Sequence, residues 1–507
     1  MLASSVRAPA SSAGHTLLTV SLAAVLLTLD MTIVNVALPE IAGEFSARLD
    51  GLQWVVNGYP LAFAALLLTA GSISDRIGRR TIFAVGTVVF TLASAACGLA
   101  WNPASLTVFR LVQGAGGALI MATALALIAG AYPAGAARQK AIGIFSALGG
   151  AAAGLGPLVG GAAVDLLGWR WIFWINLPVG ALVLAGALRL REPEGRERLG
   201  GGLDLAGVAL AVAMLFSLNY GLLTGPADGW TSPLVVTTLV AGVVLLGAFL
   251  WVEHGRRDAM LDLALFRVRT FSGAILLTFA ARVTSFGFLP FLILWLQGML
   301  GFSAWETGVR LLAMTLPILV VAPLTAPLQR RFPVSGIMAS GFALIAVAFL
   351  LMARVGPGSS WTVALPGLLL LGIGGALCFP PLMGLAVGVV PPERAGMASG
   401  LSNTFFPLGT AAGVAGFGAL FSGRIGAELS DARLAAHGLD AAAADRARTA
   451  VTAGRFDALP SDPVRDLART AFTETLAQTC LVAAVAALAA VLAALFLIRA
   501  RDLHKDA

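Results

Sequence analysis

Long apolar runs, repeated along almost the whole chain, constrain this sequence more than any other feature. They fall at about 16–39, 52–71, 81–100, 105–130, 141–164, 169–188, 204–223, 233–252, 271–298, 306–328, 335–353, 362–390, 398–422 and 473–498. Each is near the ~20 apolar residues that a helix needs to cross the hydrocarbon core of a bilayer. Of the 507 residues 58% are hydrophobic and only 12% charged, about half the charge a soluble domain carries. A soluble core has no room for so many uninterrupted apolar segments. In lipid every backbone polar group must be satisfied within the segment, which favours helices. The expected fold is an all-α integral membrane protein with fourteen transmembrane helices.

The charge pattern orients them. Lysine and arginine mark cytoplasmic loops. One alternating set of loops holds Arg76, Arg79, Arg80, Arg138, Lys140, Arg189, Arg191, Arg256, Arg257, Arg267, Arg330, Arg331 and Arg394, while the opposite short loops hold Arg48, Arg170 and Arg354. Both termini are therefore expected in the cytoplasm, with the chain in a bacterial plasma membrane. The net charge of +7 reads as topology rather than as a nucleic-acid surface. Cys97, Cys378 and Cys480 each lie inside an apolar run with no metal-ligand or disulfide spacing. The first run continues to Pro39 with no small-residue cleavage site, so it reads as a retained helix. The expected order is a cytoplasmic tail over 1–15, helices over 16–188, a linker with two extra helices over 189–270, helices over 271–498 and a tail over 499–507. A long external loop over 423–472 has the alanine and charge pattern of an amphipathic helix.

Several short stretches carry more information than hydropathy. After the second run comes Gly71-Ser72-Ile73-Ser74-Asp75-Arg76-Ile77-Gly78-Arg79-Arg80. Its glycines permit a tight turn and close helix approach, and Asp75 can pair with an arginine or cap a helix. Such a charge cluster can act as a conformational latch. Arg110-Leu111-Val112-Gln113-Gly114 lies in the fourth run, and Gly156-Pro157-Leu158-Val159-Gly160-Gly161 in the fifth. Small residues there let helix backbones touch, and the proline bends the axis. The first run has Leu29-Asp30-Met31-Thr32-Ile33-Val34-Asn35, and two further stretches read Trp169-Arg170-Trp171-Ile172-Phe173-Trp174-Ile175-Asn176-Leu177-Pro178 and Pro392-Glu393-Arg394-Ala395-Gly396.

Together these motifs resemble the major facilitator superfamily, and within it the fourteen-helix drug:proton antiporters (the EmrB/QacA type). The resemblance runs from about residue 20 to 422. It implies two six-helix bundles around a central cavity, joined by two inserted helices, with alternating access by rocking of one bundle on the other. It implies the latch role for Gly71, Asp75, Arg76, Gly78, Arg79 and Arg80, and antiport through the Gly156, Pro157, Gly160 and Gly161 motif. Two departures stand out: Ala152 replaces the motif's leading glycine, and Asn403-Thr404-Phe405-Phe406-Pro407 lacks the Arg-Gln pair of many relatives.

Ionisable groups inside a membrane are costly and usually functional. Asp30 lies roughly 13 Å and Arg110 roughly 8 Å below the outer ends of their helices, at 1.5 Å per residue, so the two can meet. Burial favours a neutral acid and a nearby guanidinium favours the anion. A site of this kind exchanges a proton when its hydration or pairing changes, which makes Asp30 the expected proton carrier and Arg110 its modulator. Arg282, mid-way along the ninth run, is too deep to reach water easily and suits a cavity wall, where it can attract an anionic substrate group or answer an interior acid. No Asp or Glu lies mid-membrane in the later runs, where members of the resembled family that export multivalent cations tend to carry acids; the resemblance therefore implies a neutral, zwitterionic or anionic substrate rather than dications. Trp54, Tyr59, Phe286, Trp295, Phe379 and Phe405, with Asn35, Gln53, Gln113 and Gln297, are the remaining candidate cavity residues. No Gly-x-x-x-x-Gly-Lys loop exists to hold ATP, and the four scattered histidines suggest no zinc site. The expectation is a non-enzymatic, cofactor-free monomer working on small molecules, protons and the lipid bilayer, driven by the proton-motive force. Multidrug efflux, dedicated export of a secondary metabolite and proton-coupled nutrient import all remain compatible with the sequence.

Overall fold

A computed structural model describes residues 10–45, 49–133, 135–190, 205–254, 263–390, 395–452, 454–456 and 459–499, and the described chain is helical throughout. The first bundle comprises α1 (Ala10–Phe45), α2 (Leu49–Ile77), α3 (Arg79–Gly98), α4 (Pro103–Ala131), α5 (Ala136–Leu167), α6 (Trp171–Trp174) and α7 (Asn176–Leu188). A hairpin of α8 (Leu205–Asp228) and α9 (Pro233–His254) follows. The second bundle comprises α10 (Arg269–Ser285), α11 (Leu289–Leu294), α12 (Ala304–Val321), α13 (Thr325–Gln329), α14 (Val334–Met352), α15 (Leu365–Gly388) and α16 (Ala395–Glu428). After the short α17 (Asp431–Ala435) and α18 (Ala441–Thr452), α19 (Asp462–Leu497) completes it.

Among the described residues ten helical stretches are long and apolar enough to cross a membrane, eleven if α2, bent by 52° between Leu67 and Thr69, is one span. That is fewer than the fourteen expected. The apolar stretch of α8, Ala206–Leu222, is shorter, while α5 and α16 are long and glycine-rich but include positions outside the described set.

Local chemistry sets the boundaries. Gly78 alone separates α2 from α3, at φ 123°, a conformation that a side chain strains. Asn102 and Ser105 form a reciprocal capping box that starts α4, and Ser303 with Glu306 does the same for α12. The ninth run is broken rather than straight. Phe286 and Gly287 both donate their backbone N–H to the carbonyl of Arg282 (3.1 and 3.0 Å), Pro290 opens α11, and a π turn, Trp295–Met299, ends the segment.

The two bundles have different interiors. The second is built on phenylalanines: Phe288 meets Phe349 edge-on at 5.1 Å and Phe417 at 6.3 Å, and Phe421 meets Phe472 at 5.0 Å. The expected loop over 423–472 is shorter than its sequence suggested, because α16 runs on to Glu428 and α19 already begins at Asp462. Between them α18 is the expected amphipathic helix: it buries Ala444, Ala447, Ala450 and Val451 against the bundle. Gly454, left-handed at φ 71°, lies against Gly298 of the π turn. Bridges Arg433–Glu428 and Arg448–Asp431 line the cap's surface.

The bundles meet toward the end that carries the Gly78 turn. Ser146 of α5 lies 3.4 Å from the sulfur of Met383, Ala147 packs with Ala322 and Ala376, and Ala65 of α2 shares an apolar cluster with Val389, Val390 and Leu401. The α8–α9 hairpin packs on α2 and α16, and α9 is largely exposed, as a lipid-facing helix is.

Candidate functional site

The first-bundle site is assembled on α1, α2, α3, α4 and α7. Asp30 stands mid-way along α1 and Arg110 two turns into α4, and their side chains form an ion pair at 2.5 Å, each about 1% exposed. The depth arithmetic of the sequence places them at similar levels, and the structure brings them together. Gln113, one turn on from Arg110, serves both groups: its Nε2 donates to Asp30 Oδ1 (2.8 Å) and its Oε1 accepts from Arg110 Nη1 (2.8 Å). Asn176, in the first turn of α7, donates to the same Asp30 oxygen (2.7 Å) and to Ser94 Oγ of α3 (3.0 Å). Ser94 in turn donates to the Phe173 carbonyl (2.8 Å). The carboxylate therefore accepts three bonds, two from neutral amides and one from a guanidinium.

Tyr59 of α2 lies under the guanidinium, its ring centre 4.6 Å from Arg110 Cζ, and its buried hydroxyl has no hydrogen-bond partner among the described residues. The ion pair itself is buried and hydrogen-bonded on both sides. Removing either charge leaves the other buried and uncompensated, at a cost of about 3–5 kcal/mol.

The glycine motif of α5 braces this site from behind. A Cβ on Gly156 would collide with Thr32 Oγ1, and one on Gly160 would press on Ile33 Cγ1. Thr32 and Ile33 follow Asp30 by two and three residues, so only glycine lets α5 lie against the turn that carries the acid. Gly161 is half-buried beside them; the side chain of Pro157 lies outside the described residues. In the 71–80 motif Gly71 is buried, and Arg79 grips Asp75 through Nη2 (2.8 Å) and reaches the Ala126 carbonyl of α4 (3.4 Å). Arg80 donates to the Leu188 carbonyl of α7 (2.5 Å). Arg76 sits in the last turn of α2. The cluster thus ties α2, α3, α4 and α7 together at one end of the bundle.

The second bundle holds a different site. Arg282 stacks on Phe286 (4.2 Å) and Phe379 (5.1 Å), which meet each other at 5.9 Å. Phe405 is one step away, edge-on to Phe279 at 6.4 Å.

The candidate cavity residues divide on this evidence. Tyr59, Gln113 and Trp295 offer no surface to a cavity: the first two belong to the Asp30 site, and Trp295 is fully buried in the phenylalanine core. Aromatic and amide side chains inside a span carry no sequence mark of which way they point. Gln297 is exposed on the π turn, and Trp54 packs on Tyr220 of α8 at 5.3 Å. The side chains of Asn35 and Gln53, and residues 391–394 of the Pro392-Glu393-Arg394 motif, lie outside the described residues. Asn176 and Ser94 are the residues sequence reasoning missed. Asn176 was legible as a lone amide in an apolar helix, whereas a serine in that setting more often bonds its own helix.

Ionisable groups held inside apolar helical spans, a buried pair in the first bundle and Arg282 in the second, are what a membrane transporter carries. The Major Facilitator Superfamily profile matches residues 20–414, and the chain belongs to that family. It is 36% identical over 414 residues to "Multidrug resistance protein Stp" of Mycobacterium tuberculosis, 82% of this chain and 77% of that protein. It is 35% identical over 411 residues to "Tetracenomycin C resistance and export protein" of Streptomyces glaucescens, 81% and 76% of the two chains. Among solved structures, the human organic anion transporter MFSD10 superposes with a TM-score of 0.60 at 16% identity, covering 94% of this chain and 99% of that one. At that identity the likeness concerns the fold alone.

Proposed function

We propose that this chain is a proton-driven exporter of small organic molecules, a fourteen-helix drug:proton antiporter of the bacterial plasma membrane with both termini in the cytoplasm. Adding α5, α8 and α16 to the eleven apolar spans brings the count to fourteen, and an even count keeps the termini on one side. The observation that carries the coupling is the buried Asp30–Arg110 pair held by Gln113 and Asn176. Asp30 carries the proton; Arg110 replaces it as the counter-charge when the proton leaves. Substrate binds between the bundles, and access alternates by rocking. With the Gly78 turn on the cytoplasmic side, packing of Ala147 on Ala322 and of Ala65 near Leu401 supports reading this arrangement as closed toward the cytoplasm. The 71–80 cluster acts as the latch at that end. The protein works as a monomer without ATP, metal or organic cofactor.

The relatives named for multidrug resistance and for tetracenomycin C resistance and export support efflux. The second of them equally supports a narrower role, export of one secondary metabolite with self-resistance. The test uses purified protein in liposomes that contain a pH dye, under an imposed proton gradient. Substrate-evoked proton movement should occur in the wild type and vanish in Asp30→Asn. Undiminished proton movement in the variant would remove Asp30 as the carrier.

A further inference from the structure

The second bundle holds a cation of its own, and its surroundings say what it is for. Arg282 lies thirteen residues into the apolar stretch Arg269–Met299, so roughly 20 Å from its start at 1.5 Å per residue. A charge at that depth marks a substrate or ion pathway more often than a packing role.

The backbone shows that Arg282 is not on the lipid side. A Cβ on Gly409 of α16 would come within 2.8 Å of Arg282 Cβ, and one on Gly413 within 2.7 Å of the Val283 carbonyl. The α10 and α16 backbones thus touch on either side of it, while Phe379 comes from α15. Arg282 also sits in the last turn of α10, where the partial negative charge of a helix C-terminus favours a cation.

Aromatic faces pack on the guanidinium. Phe286 and Phe379 lie against it at 4.2 and 5.1 Å, through ring–cation contacts. A guanidinium's hydrogen-bond donors lie in its plane, in a fork that matches a carboxylate. Arg282, Phe286, Phe379, Phe279 and Phe405 each keep part of their surface open. A partly open cation ringed by partly open aromatic faces suits a flat aromatic molecule with an anionic group, and repels a cationic one.

We propose that Arg282, Phe286 and Phe379 form the substrate-recognition site for aromatic organic anions, with the acid group on Arg282 and the aromatic body against the phenylalanines. The proposal rests on the efflux reading and names its substrate class.

Two dyes that share one three-ring xanthene body make the test: anionic fluorescein and a cationic rhodamine methyl ester. Proton-driven transport of each is measured in liposomes with the wild type, Arg282→Lys and Arg282→Gln. The wild type should prefer the anion by about tenfold or more, the scale of one charge-assisted hydrogen bond. Arg282→Lys should keep part of that preference and Arg282→Gln should lose it. The wild-type comparison is decisive even where a variant does not fold. Proton-driven transport of both dyes at equal rates, or of the cation alone, overturns the anion site and leaves the efflux reading standing. A preference that survives unchanged in folded Arg282→Gln overturns the role of Arg282. Movement of neither dye by folded wild-type protein under the gradient counts against this proposal and against efflux together.

Discussion

The two bundles treat a buried charge in opposite ways. In the first, Asp30 and Arg110 neutralise one another within a shell of amides, and all four polar residues are nearly inaccessible. In the second, Arg282 lies among aromatic rings and stays partly open. A closed, neutral pair is suited to a small cargo such as a proton, because its bonds must be remade each time the charge changes. A partly exposed cation packed on flat aromatic neighbours is suited to a larger and variable cargo. The contrast points to a division of labour, with coupling in the first bundle and recognition in the second.

The sharpest way to break this contrast is to remove one arginine from each bundle. Arg110→Ala strands a buried carboxylate and should cost about 3–5 kcal/mol of stability. Arg282→Ala removes ring–cation contacts worth about 0.5–2 kcal/mol and should cost less. Thermal melting of the purified variants in detergent checks both, and equal losses would end the distinction.

Next in size is Gly160→Leu, which forces a side chain into Ile33 behind Asp30. Overpacking of that kind costs about 1–3 kcal/mol. Proton coupling should fall while dye binding at the second bundle persists, and loss of both in folded protein would show that the sites are not separable.

Asn176→Ala is of similar size. It removes one of the two amides on Asp30 Oδ1, a bond to a charged group worth about 1.5–3 kcal/mol. Substrate-evoked proton movement should slow, with dye affinity unchanged. A variant with wild-type coupling would confine the site to Asp30, Arg110 and Gln113.

The smallest effect belongs to a surface pair of the first bundle. Hydrogen bonds from Arg170, then from Trp169, hold the Glu44 carboxyl below the usual carboxylate range. A depressed acid contributes stability above its unfolded-state pKa, and that contribution is lost as pH falls through the folded-state value. Both side chains are partly exposed, so the pair is worth under ~1 kcal/mol. Glu44→Gln should melt slightly lower than wild type at neutral pH and converge with it in acid. A gap that widens in acid would contradict the assignment.

Much of this was legible in the sequence, for identifiable reasons. Apolar runs mark helices because lipid leaves the backbone few alternatives. Asp30 and Arg110 could be matched because depth along a helix is simple arithmetic. What depth does not give is rotation. Tyr59 and Trp295 were expected on a cavity wall, yet one lies under Arg110 and the other in the core. The Ser94–Asn176–Asp30 chain needs three helices at one azimuth, which no single run encodes. The break after Arg282 was hidden for a related reason. Gly287 and Pro290 sit in an otherwise apolar run, and only the approach of Gly413 to Gly287 shows why the helix gives way there.

The π turn at Trp295–Met299 has a mechanical consequence. A π turn holds one residue more than an α turn, so it stores slack in the chain. Drawing in that slack would turn the following residues by about 100° and advance them by roughly 1.5 Å, like a screw moved through part of a thread. Gly454 rests against Gly298 in this turn, so the α17–α18 cap would be carried with it. Such a movement would gear the cap to the same segment that holds Arg282, thirteen residues before the turn begins.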